Sequence, residues 1–199
     1  MNTALVRRTG TAAAAAALVL ASASTATAAT WHHHDATHDV VSIGMPRTGA
    51  DSPSDLETTR APSVGRVDID RIRVRHGAHM LFVRLHTRSA LPSSMLTSEF
   101  LIRTPTRTYD VERDDFEGFQ LAAITTDAGP VHCPQVSIAV RPARHTVLLT
   151  APRFCLGKPK WVRVAAALEL DHGNRVYVDD AEGNRLDRRP HFSPRIHVG

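Results

Sequence analysis

Apolar and polar residues alternate with a period of two through much of this chain, a pattern that suits half-buried strands and not amphipathic helices. In Arg71-Ile72-Arg73-Val74-Arg75 the apolar residues alternate with arginines, so one face belongs to a core and the other to water. Leu81, Val83 and Leu85 share a face in the next run. The His76-Gly77-Ala78 segment between them reads as a hairpin turn in which Gly77 can take a positive φ. Further β-rich runs are Phe100 to Ile102, Thr106 to Val111, Phe119 to Thr125, Val136 to Val140, Thr146 to Thr150, Trp161 to Leu168 and Arg175 to Val178. Their spacing is that of a sandwich or barrel.

Turn residues separate these runs. Pro105, Asp127-Ala128-Gly129-Pro130, Pro142, Gly157-Lys158-Pro159, Asp171-His172-Gly173-Asn174 and Glu182-Gly183-Asn184 all interrupt the alternation. The stretch Ala165 to Leu170 favours helix by propensity, but Trp161-Val162-Arg163-Val164 leads into it as a strand, and strand is the expectation. Gly44 to Ser63, rich in Pro, Gly, Ser and Asp, carries no periodic pattern and reads as a long loop or linker. The expected organisation is therefore a signal peptide over 1–28, an N-terminal arm and loop over 29–63, and a sandwich body over 64–199, with arm and body forming one domain.

The two cysteines, Cys133 and Cys155, lie symmetrically about residue 144, where Pro142 to His145 turns the chain between two apolar runs. If those runs pair, the cysteines meet beyond the open end of the hairpin. At the N-terminus, Arg7-Arg8, the apolar run Thr11 to Ala21 and the small residues Ala26-Thr27-Ala28 have the order of a secretory signal cut after Ala28. Arg7-Arg8 also suggests a twin-arginine route, although Thr9-Gly10 follows without the usual apolar residues. The expected location is outside the cell, where two thiols form a bridge. No later stretch reaches the roughly 20 apolar residues of a membrane helix.

The signal holds two arginines and no acid, so the formal charge of +4 falls to about +2 in the remaining part. That small charge does not support a nucleic-acid partner. No Gly-x-Ser-x-Gly, phosphate-binding glycine loop or His-Glu-x-x-His motif is present, so no catalytic residue is assigned and a binding or structural role leads over an enzyme.

Two groups of residues have the chemistry of metal ligands. His32, His34 and His38 follow the expected cut, and clustered imidazoles suit a transition metal. A cut after Ala29 would leave Thr30-Trp31-His32 at the terminus, the arrangement of a square-planar copper or nickel site. Alternatively, Asp35 and Asp39 supply carboxylates to calcium together with Asp179 and Asp180, provided the first and last strands are neighbours. Both groups also have a simple reading as solvated terminus and turns. The acidic knot Glu112, Asp114, Asp115 and Glu117 reads as a wet loop. Arg71, Arg73, Arg75, Arg84 and His86 make a cationic sheet face, on which Arg73, Arg75 and Arg84 are candidate ligand-binding residues for an anionic cell-wall polymer or glycan. The alternative is an ordinary solvated face with Asp68, Asp70 and Glu99 nearby.

The segment Asp68 to His76, then Cys133, then Pro152-Arg153-Phe154-Cys155-Leu156-Gly157-Lys158-Pro159-Lys160-Trp161-Val162-Arg163-Val164, resembles a group of small secreted proteins of high-GC actinobacteria. That resemblance spans most of the chain after the signal and supplies no functional residues. The general pattern is also similar to jelly-roll-like carbohydrate-binding modules and extracellular sensor domains. The resulting expectation is an all-β, single antiparallel β-sandwich, jelly-roll-like, with one disulfide. Its expected role is that of a secreted non-catalytic module binding a glycan or wall polymer. The alternatives are a metal-binding exported protein and a hydrolase with an unrecognised site.

Overall fold

The computed structural model describes residues 28–44, 58–92, 94–115, 122–183 and 190–199. The expected signal peptide lies outside the described residues except for Ala28, as does most of the loop expected over Gly44 to Ser63. The described residues are all-β, with fourteen strands and no α-helix. In chain order these are β1 (Ala29–His34), β2 (Val41–Gly44), β3 (Thr58–Arg60), β4 (Ile69–His76), β5 (Met80–Thr87), β6 (Leu96–Arg103) and β7 (Thr108–Asp114). There follow β8 (Ala122–Thr126), β9 (Gly129–Pro130), β10 (Ser137–Arg141), β11 (Thr146–Pro152), β12 (Trp161–His172), β13 (Arg175–Asp180) and β14 (Ile196–His197).

They form two antiparallel sheets packed as a β-sandwich. One has five strands in the order β1-β4-β5-β11-β10; the other has nine, ordered β3-β2-β13-β12-β6-β7-β8-β9 with β14 joined to β12. The alternation seen in the sequence is the cause of this layering. Ile72, Val74, Leu81, Val83, Leu85, Val147 and Leu149 of the first sheet are buried in one cluster with Phe100, Ile102, Val111, Val164 and Leu168 of the second. The arginines between Ile72 and His76 point the other way and are exposed. Burial of these side chains contributes about 1.5–3 kcal/mol each before chain entropy is subtracted.

The expected hairpins are present. β10 and β11 pair from Ser137 opposite Thr150 to Arg141 opposite Thr146, and the 3₁₀ turn Pro142–Arg144, ending on His145 with φ 51°, reverses the chain. Cys133 and Cys155 lie beyond the open end and are disulfide-bonded, with Cα atoms 6.0 Å apart. Gly173, at φ 67°, supplies the left-handed residue of the β12–β13 turn. Gly77 does not do so in the β4–β5 turn; its N–H donates to the carbonyl of Met80 at 3.0 Å.

The N-terminal arm is woven into both sheets. β1 pairs with β4 over six residues, from Ala29 opposite His76 to His34 opposite Arg71. Residues 35–40 then cross to the other sheet, where β2 pairs with β13, Val41 opposite Val178. The first strands and a late strand are neighbours, as the calcium expectation required. At the other end of the chain, the C-terminal residues close on the same sandwich: buried His76 makes a 3.0 Å Nδ1 hydrogen bond with the carbonyl of Ile196.

Candidate metal centre

The crossover between sheets brings four aspartates together. Asp35 follows β1, and its N–H donates to the carbonyl of Asp70 at 3.1 Å, extending the β1–β4 pairing. Asp39 lies two residues before β2. Asp179 is near the end of β13, and its carboxylate accepts the Ile69 N–H across the two sheets at 2.6 Å. One carboxylate oxygen from each of Asp35, Asp39 and Asp179 lies within 4.8 Å of the others. Asp68, fully buried just before β4, stands behind them. Its Oδ2 accepts the His38 N–H at 3.0 Å and an Arg88 guanidinium N–H at 2.7 Å.

Several oxygens here are out of contact with water and lack a donor. Asp35 Oδ1 accepts the Ala36 N–H at 2.9 Å, but Asp35 Oδ2, Asp39 Oδ1 and Asp68 Oδ1 are buried without a hydrogen-bond partner. A buried oxygen left in that state is costly, and a buried negative charge more so. The electrostatics follow. Desolvation, then the charge of Asp39, pushes the Asp35 carboxyl up to about 8. Desolvation pushes Asp179 up to about 9, against the opposing effect of the Ile69 amide, and the charges of Asp39, Asp35 and Asp68 add to the rise. Asp39 is also raised, chiefly by burial.

Arg88 answers the charge of Asp68, and the raised values of Asp35 and Asp179 favour their protonated forms at neutral pH. The same carboxylates suit a hard cation: calcium takes 6–8 oxygens, and carboxylates are its usual protein ligands. Among the described residues the close set contains oxygen donors alone, which matches a hard cation and not the imidazole preference of copper or nickel.

The other expected ligands are elsewhere. Asp180 is buried next to the centre, and its charge contributes to the rise at Asp35, but it is outside the close set; its Oδ1 accepts the Glu182 N–H at 3.2 Å. His32 and His34 line a concavity of about 440 Å³ on the outer face of the five-stranded sheet. His38, at φ 70°, contributes its backbone N–H to Asp68 while its ring is exposed. The three histidines do not converge into a centre. Thr30 and His32 lie within β1, opposite Arg75 and Arg73; the square-planar site expected after a cut at Ala29 needs a free amine at Thr30, which the uncut chain does not have.

Arg73, Arg75 and Arg84 do share the exposed face of the five-stranded sheet, on adjacent strands β4 and β5. The acidic knot is a correction. Glu117 is outside the described residues, and Asp115 is not a wet loop residue: it is buried and accepts Arg113 Nε and Nη2 at 3.2 and 2.8 Å. Arg113 Nη1 also donates to the carbonyl of Ile138 at 2.7 Å, clasping β7 to β10 in the opposite sheet. Asp68, expected beside the cationic face, is instead fully buried and paired with Arg88. Its position immediately before the first arginine-alternating strand, at the rim where the chain enters the sandwich, was the available signal.

No family model, curated protein or solved structure matches this chain.

Proposed function

We propose that this protein is an exported, non-catalytic β-sandwich module whose sheet junction is completed by a bound calcium ion. The observation that carries the reading is the convergence of Asp35, Asp39 and Asp179 within 4.8 Å. The buried, partnerless oxygens of Asp35, Asp39 and Asp68 support it. Asp35 and Asp39 belong to the crossover, Asp68 precedes β4 of one sheet and Asp179 lies on β13 of the other, so the ion acts as a clasp between layers. Export is supported by the signal-like order of Arg7-Arg8, the apolar run and Ala26-Thr27-Ala28, and the Cys133–Cys155 bridge suits an oxidising location.

The test is thermal unfolding of the purified protein after chelation, with calcium or magnesium added back. Calcium at a hundred times its dissociation constant stabilises by about 2.7 kcal/mol. Wild type gains stability with calcium and less with magnesium, which demands a stricter octahedral site; Asp179→Asn abolishes the gain. An unchanged melting curve with calcium up to the millimolar range contradicts the proposal.

A further inference from the structure

The outer face of the five-stranded sheet is independent of the cation centre and carries the opposite charge. Register places His34, Arg71 and His86 in one row across β1, β4 and β5, and His32, Arg73, Arg84 and Leu148 in the next, with β11 added. Arg75 and Phe82 follow in the third row. Among the described residues, Arg71, Arg73, Arg75 and Arg84 have no ion-pair or hydrogen-bond partner, and all four are exposed. The acid at the rim, Asp70, is engaged by His86 Nδ1 at 2.8 Å. Arg73 and Arg84 sit directly opposite one another, a like-charge pairing that disfavours the sheet by itself. An anion seated between them removes that cost.

The relief of the face narrows the choice of anion. Phe82 and Leu148 form a half-buried apolar pad framed by Arg73, Arg75 and Arg84, in a depression of about 320 Å³. It adjoins the concavity of about 440 Å³ through Arg73 and Arg84, and there His32, His34, His86 and Thr146 offer further hydrogen-bonding groups beside the guanidiniums. A ring-sized apolar pad, arginine forks at its edge and hydrogen-bonding groups beyond it match the chemistry of an acidic sugar. The C–H face of a pyranose lies on the pad, its carboxylate meets a guanidinium in a bidentate pair, and its hydroxyls meet the imidazoles and Thr146. A single-stranded nucleic acid would need successive aromatic platforms, whereas Phe82 is the one aromatic residue on this face among the described residues. We propose that the outer face of the five-stranded sheet binds a linear acidic polysaccharide of the polyuronate type, with the Phe82–Leu148 pad and Arg73, Arg75 and Arg84 as its central sugar site.

The test is binding of polygalacturonate oligomers by the purified protein. It is run in EDTA at pH 6, so that calcium held by the polymer or the protein plays no part. Parallel arms contain neutral dextran, inorganic polyphosphate and single-stranded DNA. Wild type binds the polyuronate and not dextran. Arg73→Gln/Arg84→Gln weakens binding at least about tenfold, because two charge-assisted contacts are lost. Arg66→Gln/Arg107→Gln, which removes the same charge elsewhere, leaves it unchanged. Phe82→Ala weakens polyuronate binding and leaves any polyphosphate binding unaltered, which separates sugar recognition from bare charge. The proposal is overturned by absence of polyuronate binding, by equal losses in the two arginine double variants, or by polyphosphate or DNA binding as tight as polyuronate. Failure of the calcium clasp would appear only in the melting experiment, since calcium is absent from this one.

Discussion

Single side chains with buried charge decide most about this molecule. Arg113 and Asp115 are both nearly inaccessible, and the Arg113 guanidinium reaches from β7 to a carbonyl of β10. Removing one member of such a pair leaves a charge that nothing solvates. Asp115→Ala is expected to destabilise the fold by about 3–5 kcal/mol, read by denaturant unfolding; a loss below about 1 kcal/mol would show that the pair is not a structural clasp. Asp179 has the reverse character. Its neighbours are acidic, so Asp179→Asn relieves repulsion while the amide oxygen can still accept the Ile69 N–H. In EDTA at pH 8 the variant is expected to be more stable than wild type, and with calcium less stable. The role of Asp179 among acids is an expectation of the sequence; that of Asp115 is not visible there. Asp115 follows Asp114 in a run that looks like any solvated turn; its partner Arg113 is only two residues away, but the burial of the pair depends on β10 of the opposite sheet, whose Ile138 carbonyl takes the other end of the guanidinium.

At the scale of elements, sequence and structure agree best where pairing is local. The β4–β5 and β10–β11 hairpins were legible because alternation fixes the faces and a short turn fixes the register. The Cys133–Cys155 bridge followed from that register, since Ser137 opposite Thr150 places both cysteines just past the ladder. Reduction opens a loop closed over 22 residues and is expected to cost on the order of 3 kcal/mol, seen as a lower denaturant midpoint with an otherwise cooperative transition. An unchanged midpoint would mean that the hairpin and the adjoining 3₁₀ turn are equally constrained without it. β1 and β2 were hidden for a physical reason. The Trp31-His32-His33-His34 run is polar because β1 is an edge strand with mostly exposed side chains, and its partner β4 is about forty residues away. Nonlocal pairing of a polar edge leaves no periodic apolar signal. Of the expected carboxylate set Asp35, Asp39, Asp179 and Asp180, the first three converge and Asp180 stays outside, because the set depends on the adjacency of β2 and β13 that local sequence does not fix.

For the whole molecule, the acidic junction sets how stability varies with pH. The folded-state values of Asp35 and Asp179, about 8 and about 9, lie above their ordinary value of 3.8. In that window the folded protein holds protons that the unfolded chain has released. Their contribution is complete below about pH 4 and is lost as pH rises toward 8 and 9. The chelated protein is therefore expected to melt at a lower temperature at pH 8.5 than Asp179→Asn, with the difference shrinking toward pH 5; calcium removes the deficit. Burial lowers the His76 value and acts in the opposite direction, weakening the fold on acidification below about 6.5. The comparison with the variant, which shares His76, isolates the carboxylates. The central claim is that calcium displaces protons from this junction, and proton release counted by isothermal titration calorimetry at pH 7 tests it most directly. Calcium is titrated into chelator-stripped protein in buffers of different ionisation enthalpy. The expected result is saturable one-site binding with release of about two protons per ion, from Asp35 and Asp179; absence of binding, or binding without proton release, would contradict it.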